Sequence, residues 1–117
     1  VAVLDARIDE VYAAHLHWEQ DRWHTESGPV LAAPEHIHAP AGWTVAGNAQ
    51  AAYATRLAPT AEHVRALPTA AALLRLAPAL LAAGQDVDAT GAMPLYLRDK
   101  VAQTTAERAA LRMGKPA

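Results

Sequence analysis

Residues 1–18, VAVLDARIDEVYAAHLHW, read as two β-strands meeting at a polar corner, and this reading decides the fold. Val1, Val3 and Leu4 make a short apolar run with small alanines, which Asp5-Ala6-Arg7 interrupts. From Val11 to Trp18 the chain resumes with β-formers in period-two alternation. Tyr12, Ala14, Leu16 and Trp18 therefore share one face, while Val11, Ala13, His15 and His17 share the other. Asp9 and Glu10 fall near the turn, where carboxylates are easily solvated. The unit predicted is a β-hairpin with a charged corner.

Working outward, Glu19-Gln20-Asp21 is a polar turn, and Trp23 to Leu31 extends the hairpin to a third strand, bent at Ser27-Gly28-Pro29. Pro34 suits the first turn of a short helix, where its missing N–H is not needed. Trp43 to Ala46 is a compact strand closed by Gly47-Asn48, a turn signal. Ala49 to Leu57 predicts a short helix, and Glu62 to Ala66 a short strand. Thr69 to Ala83 is the best helix: Thr69 caps it, Gly84 ends it, and Leu73, Leu74, Leu76, Leu80 and Leu81 form a broad apolar stripe. Arg75 is expected on the solvated side. Pro78 cannot donate to residue 74, which predicts a kink or two shorter helices. Pro94 to Arg98 reads as a further strand, with Pro94 tolerated at its start or on an edge. The remaining 99–117 is a polar tail with a helical stretch at 105–112. Strands first, then helix–strand alternation, give a mixed α/β (α+β) layer fold.

A chain of 117 residues holds one core. It is 52% hydrophobic and 19% charged, so it is globular, with a core expected from small aliphatics around three Trp and three Tyr. Ten Lys and Arg against twelve acids give a formal net charge of −2, with no basic stripe. Direct nucleic-acid binding needs clustered cations and is not expected here. With no cysteine, disulfides, thiolate catalysis and Cys-based zinc sites are excluded. The apolar stretch around Arg75 and Pro78 is too short to span a membrane. A start at Val1, directly in a strand, is expected of an excised domain.

DARIDEVYAA (residues 5–14) resembles the DAR-x-x-EVY signature that opens the second half of the bacterial TsaB family, also called YeaZ. MPLYLRDKVAQTTAER (residues 93–108) resembles that family's carboxyl-terminal P-x-YLR block and polar tail. The order and spacing of what lies between also fit, so the resemblance covers nearly the whole chain. It implies a ribonuclease-H-like domain of the actin and sugar-kinase (ASKHA) superfamily over residues 1–98, opening with antiparallel strands, followed by the 99–117 tail. It further implies a cytoplasmic accessory protein, not itself an enzyme, of the machinery that installs threonylcarbamoyl on adenosine 37 of tRNA. The implied protein partners are TsaD, which holds the chemistry, and the ATPase TsaE, with a homodimer as a further option. In the family TsaD is met mainly through the amino-terminal half.

Each chemical candidate has a plainer counterpart. Asp5 lies where a ribonuclease-H-like nuclease keeps a metal-binding carboxylate, but two-metal hydrolysis needs further converging carboxylates, and none recurs. Asp5, Arg7 and Glu10 are therefore read as ordering the hairpin corner. His15/His17 and His36/His38 repeat a two-residue spacing without a third ligand or an HExxH helix, so no metal is assigned. Ser27, the single serine, lies in a Gly-Pro turn without a G-x-S-x-G context. No catalytic residue and no cofactor are assigned. Tyr96, Arg98, Asp99 and Lys100 put an aromatic beside charges at a strand end. They read either as a solvated edge or as contacts to partner subunits. The alternative to the accessory reading is a metal-dependent hydrolase, either a nuclease at Asp5 or a glycoprotease-like peptidase.

Overall fold

The computed structural model describes residues 1–98. Its centre is a five-stranded mixed sheet in the order β3-β2-β1-β4-β5. β1 (Ala2–Arg7), β2 (Glu10–Glu19) and β3 (Arg22–Ala32) form the antiparallel part, and β4 (Thr44–Gly47) and β5 (Glu62–Arg65) run parallel to β1. Both hairpins close on two-residue turns with positive φ, at Ile8-Asp9 and at Gln20-Asp21. Such turns match the twist of the paired strands. Asp5-Ala6-Arg7 does not interrupt β1 as the sequence suggests. The strand runs to Arg7 by accommodating a bulge between Asp5 and Arg7, which keeps the corner residues in the ladder.

The alternation of β2 survives intact. Val11 and Ala13 face the core beside Val3 and Val45, with Ile37, Ala49, Tyr53, Leu57 and Ala58 closing over them. The covering layer consists of a 3-10 turn at Pro34–His36, α1 (Gln50–Tyr53) and a second 3-10 turn at Ala54–Arg56. The core is aliphatic and small, but it is not built around the aromatics. Only Tyr53 is buried and Trp43 packs at the margin. Trp18 and Trp23, paired across the tip of β2–β3, are 55% and 54% exposed and meet edge to face, with centroids 5.3 Å apart.

α2 (Ala70–Ala82) starts at Thr69, whose hydroxyl accepts the Ala72 N–H at 3.1 Å. Gly84, at φ +66°, follows its end in the left-handed conformation that suits glycine. The helix is not split at Pro78, which lies inside one continuous element. Proline there forfeits the bond to the Leu74 carbonyl, and the neighbouring turns carry the helix through. The leucine stripe is not buried either: no residue of α2 is. Leu76, Ala79 and Leu80 line a groove of about 640 Å³ against Leu16, Trp18 and Trp23, and Arg75 borders it while staying exposed to solvent, as expected. The tip of the hairpin is too narrow to cover the whole stripe. Among the described residues, no helix is long and apolar enough to cross a membrane.

Residues 94–98 form no strand. β1 pairs with β2 along its length and with β4 at Ala2 and Val3, the Asp5 N–H beyond is taken by the Asn48 side chain, and the open edges at β3 and β5 lie elsewhere. The segment is instead anchored through a side chain.

Candidate functional site

The DAR corner and the YLR block, 91 residues apart, meet in space through Arg98. One terminal nitrogen of its guanidinium donates to the carbonyls of Ala6 at 3.0 Å and Arg7 at 3.2 Å, and pairs with Glu10 at 2.7 Å. The side chain is 14% exposed, so these contacts are shielded from water. In a regular strand these consecutive carbonyls would point to opposite sides, whereas the bulge and the positive φ of Arg7 let one nitrogen reach both. Replacing Arg98 by Ala is expected to cost about 2 kcal/mol, the range for hydrogen bonds to a charged group. Arg98→Lys should recover less than half of it, since an ammonium lacks the planar fork. Urea denaturation of the three proteins checks this.

Asp5 is the second anchor of the corner. Its Oδ1 accepts the Arg7 N–H at 2.8 Å and the Tyr53 hydroxyl at 3.0 Å, and its Oδ2 pairs with the Arg7 guanidinium at 3.2 Å. Its own N–H donates to Asn48 at 2.9 Å, tying the corner to the end of β4. The Tyr53 hydroxyl also lies 3.0 Å from the Glu10 carbonyl. The Arg7 N–H, followed by the Tyr53 hydroxyl and the Arg7 charge, holds the Asp5 carboxyl below its usual range against the opposing effect of burial. Burial first, and then the hydrogen bond to Asp5, push Tyr53 up.

Beneath the turn, Arg56 takes Asp9 in a two-pronged pair at 2.7 and 2.8 Å and also binds Glu35. Hydrogen bonds from Arg56 hold both carboxyls below their usual range. A depressed carboxyl stabilises the fold above its unfolded pKa and loses that contribution as pH falls through its folded value. Stability is therefore expected to drop as pH falls below about 4. Arg56→Ala and Tyr53→Phe should each flatten that drop in acid titrations followed by circular dichroism.

Tyr96 is 82% exposed, and Met93 and Leu95 beside it are exposed as well, on the segment that Arg98 fastens to the corner. Asp99 and Lys100 lie outside the described residues. The structure thus separates the carboxyl-terminal candidates: Arg98 turns inward and Tyr96 outward.

The histidines are parted by the sheet register. His17 lies 3.1 Å from Glu26 and 3.6 Å from Glu19, and its ring stacks on His24 at 5.2 Å. His15 sits 3.0 Å from the Ser27 hydroxyl and 2.8 Å from the His38 carbonyl. Among the described residues, no three His, Asp or Glu side chains are grouped to hold a metal ion. The sequence reading missed the Ser27–His15 contact. Counting back from the Gln20-Asp21 turn places Glu26 opposite His15, and a bulge in β3 puts Ser27 there instead. The Ser-Gly-Pro bend was the available signal for that irregularity.

No family model matches the chain, and no curated protein matches it. Solved structures do. An uncharacterized Pseudomonas aeruginosa protein described as similar to the peptidase YEAZ shares 35% identity with a TM-score of 0.71, over 83% of this chain and 48% of its own. YeaZ from Pseudomonas aeruginosa shares 34% identity with a TM-score of 0.70, over 82% of this chain and 48% of its own. The chain spans about half the length of these relatives.

Proposed function

Given that this chain is a TsaB/YeaZ-like protein, we propose that it forms the second, ribonuclease-H-like half of an accessory subunit for tRNA threonylcarbamoylation. In this reading it supports TsaD, which performs the transfer to adenosine 37, with TsaE docking on the assembly in the cytoplasm. The observation that carries the reading is the Arg98 clamp. The two blocks that resemble the family's signatures hold one another, Arg98 against Ala6, Arg7 and Glu10. The sheet order, three antiparallel strands followed by two parallel ones joined through a short helical connection, favours the ribonuclease-H-like assignment. The exposed Met93, Leu95 and Tyr96 on the clamped segment offer an apolar contact for a companion protein.

The metal-dependent nuclease reading finds less support, because both Asp5 oxygens already have protein partners. A reconstituted transfer assay tests the proposal. The first half of Pseudomonas aeruginosa YeaZ is joined to this chain and supplied to TsaD, TsaE, tRNA and the threonylcarbamoyl donor. Modified tRNA should form with the chimera and not with the YeaZ first half alone. A well-folded chimera that leaves the rate at the level without it would sink the proposal.

A further inference from the structure

We propose that Ser27 is an activated nucleophile, with His15 as its base, that accepts acyl groups from short-chain activated esters. This goes beyond the accessory reading and does not depend on it. His15 and Ser27 are direct cross-strand partners, and the Ser27 Oγ lies 3.0 Å from His15 Nδ1. The far nitrogen, Nε2, lies 2.8 Å from the His38 carbonyl oxygen. A carbonyl can only accept, so in the neutral imidazole Nε2 carries the proton and the Nδ1 lone pair faces the serine hydroxyl. Nucleophile, base and an orienting acceptor behind the base are thus in line, the arrangement by which a weak hydroxyl is activated. Here a backbone carbonyl takes the place that a carboxylate fills in the usual triad.

The surroundings favour a small substrate. The Trp43 ring stands 6.1 Å from the His15 ring, tilted by 53°. Ser27 is exposed and His15 half-buried, so the hydroxyl is open to a small activated ester from solvent. In the first step Ser27 Oγ bonds to the ester carbonyl carbon, its proton passes to His15 Nδ1, and the carbon–oxygen bond to the leaving alkoxide breaks as that group takes the proton. Water then adds to the acyl-serine with His15 again as base, releasing the carboxylic acid and restoring the hydroxyl.

Ser27 is the single serine of the chain, which makes the test unambiguous. The 117-residue protein is treated with an alkyl fluorophosphonate, the adduct is mapped by mass spectrometry, and p-nitrophenyl acetate turnover is followed in parallel. One adduct on Ser27 is expected, absent in Ser27→Ala. In His15→Gln it should form at least about a hundredfold more slowly, at an unchanged urea midpoint. No adduct, an adduct on another residue, or equal labelling of His15→Gln would overturn the proposal. Should His15→Gln fail to fold, the wild type decides. Labelling of Ser27 that is lost in urea supports the pair, and labelling that persists in urea at the same rate refutes it.

Discussion

Gly47→Ala is expected to unfold most of the domain, at a cost of about 3 kcal/mol or more. Gly47 ends β4 where that strand pairs with Val3 of β1. A methyl group on it would stand 1.7 Å from the Val3 carbonyl oxygen, and that oxygen is backbone, which cannot swing aside. The Gly47 carbonyl meanwhile accepts the Ala66 N–H at 2.9 Å, so a shift of β4 to relieve the clash also disturbs the exit from β5. Against a typical stability of about 5–15 kcal/mol, such a loss removes a large share. Gly42→Ala is the control. Nothing lies within 4 Å of its added carbon, and only its φ of +81° resists the change, for about 1 kcal/mol. Urea denaturation monitored by tryptophan fluorescence should separate the two variants clearly.

Leu57→Ala carries the second large effect, a loss of about 2–5 kcal/mol. Leu57 is fully buried at the centre of the cluster formed by Val3, Val11, Val45 and Tyr53. It directly follows the 3-10 turn that positions Arg56. Its removal therefore leaves a void beneath the corner and loosens the Asp9–Arg56–Glu35 network above. In contrast, Leu74→Ala on the exposed side of α2 should change stability by no more than about 0.5 kcal/mol. The same denaturation series checks both. A ranking in which Leu74 matters more than Leu57 would mean that the leucine stripe, not the sheet, holds the core.

That contrast shows where the sequence was readable. The period-two alternation of residues 11–18 placed Val11 and Ala13 together on a face, and the structure buries both. Gly47-Asn48 and Thr69 marked true boundaries, because a turn and a cap depend on a few local atoms. Burial of the α2 stripe was not legible, since the period of a helix reports its own apolar face and not the size of the surface opposite. The expected strand at 94–98 failed for a related reason. Strand formers were present, but an edge to pair with is a property of the whole sheet.

At the candidate site, DAR and YLR were visible as blocks, yet their mutual clamp rests on a bulge that brings the Ala6 and Arg7 carbonyls within reach of one nitrogen. No local pattern announces such a contact across the chain. The Ser27–His15 pairing was hidden in the same way, behind a register shift. Local chemistry was thus legible, while contacts created by bulges were not.

We have proposed that this chain completes a TsaB-type accessory subunit. The most direct test is the affinity for purified TsaD, measured by calorimetry, of the chain alone and of the chain joined to the first half of Pseudomonas aeruginosa YeaZ. The joined protein should bind as tightly as intact YeaZ, and the chain alone weakly or not at all. A joined protein that melts cooperatively and still shows no heat of binding to TsaD would contradict it.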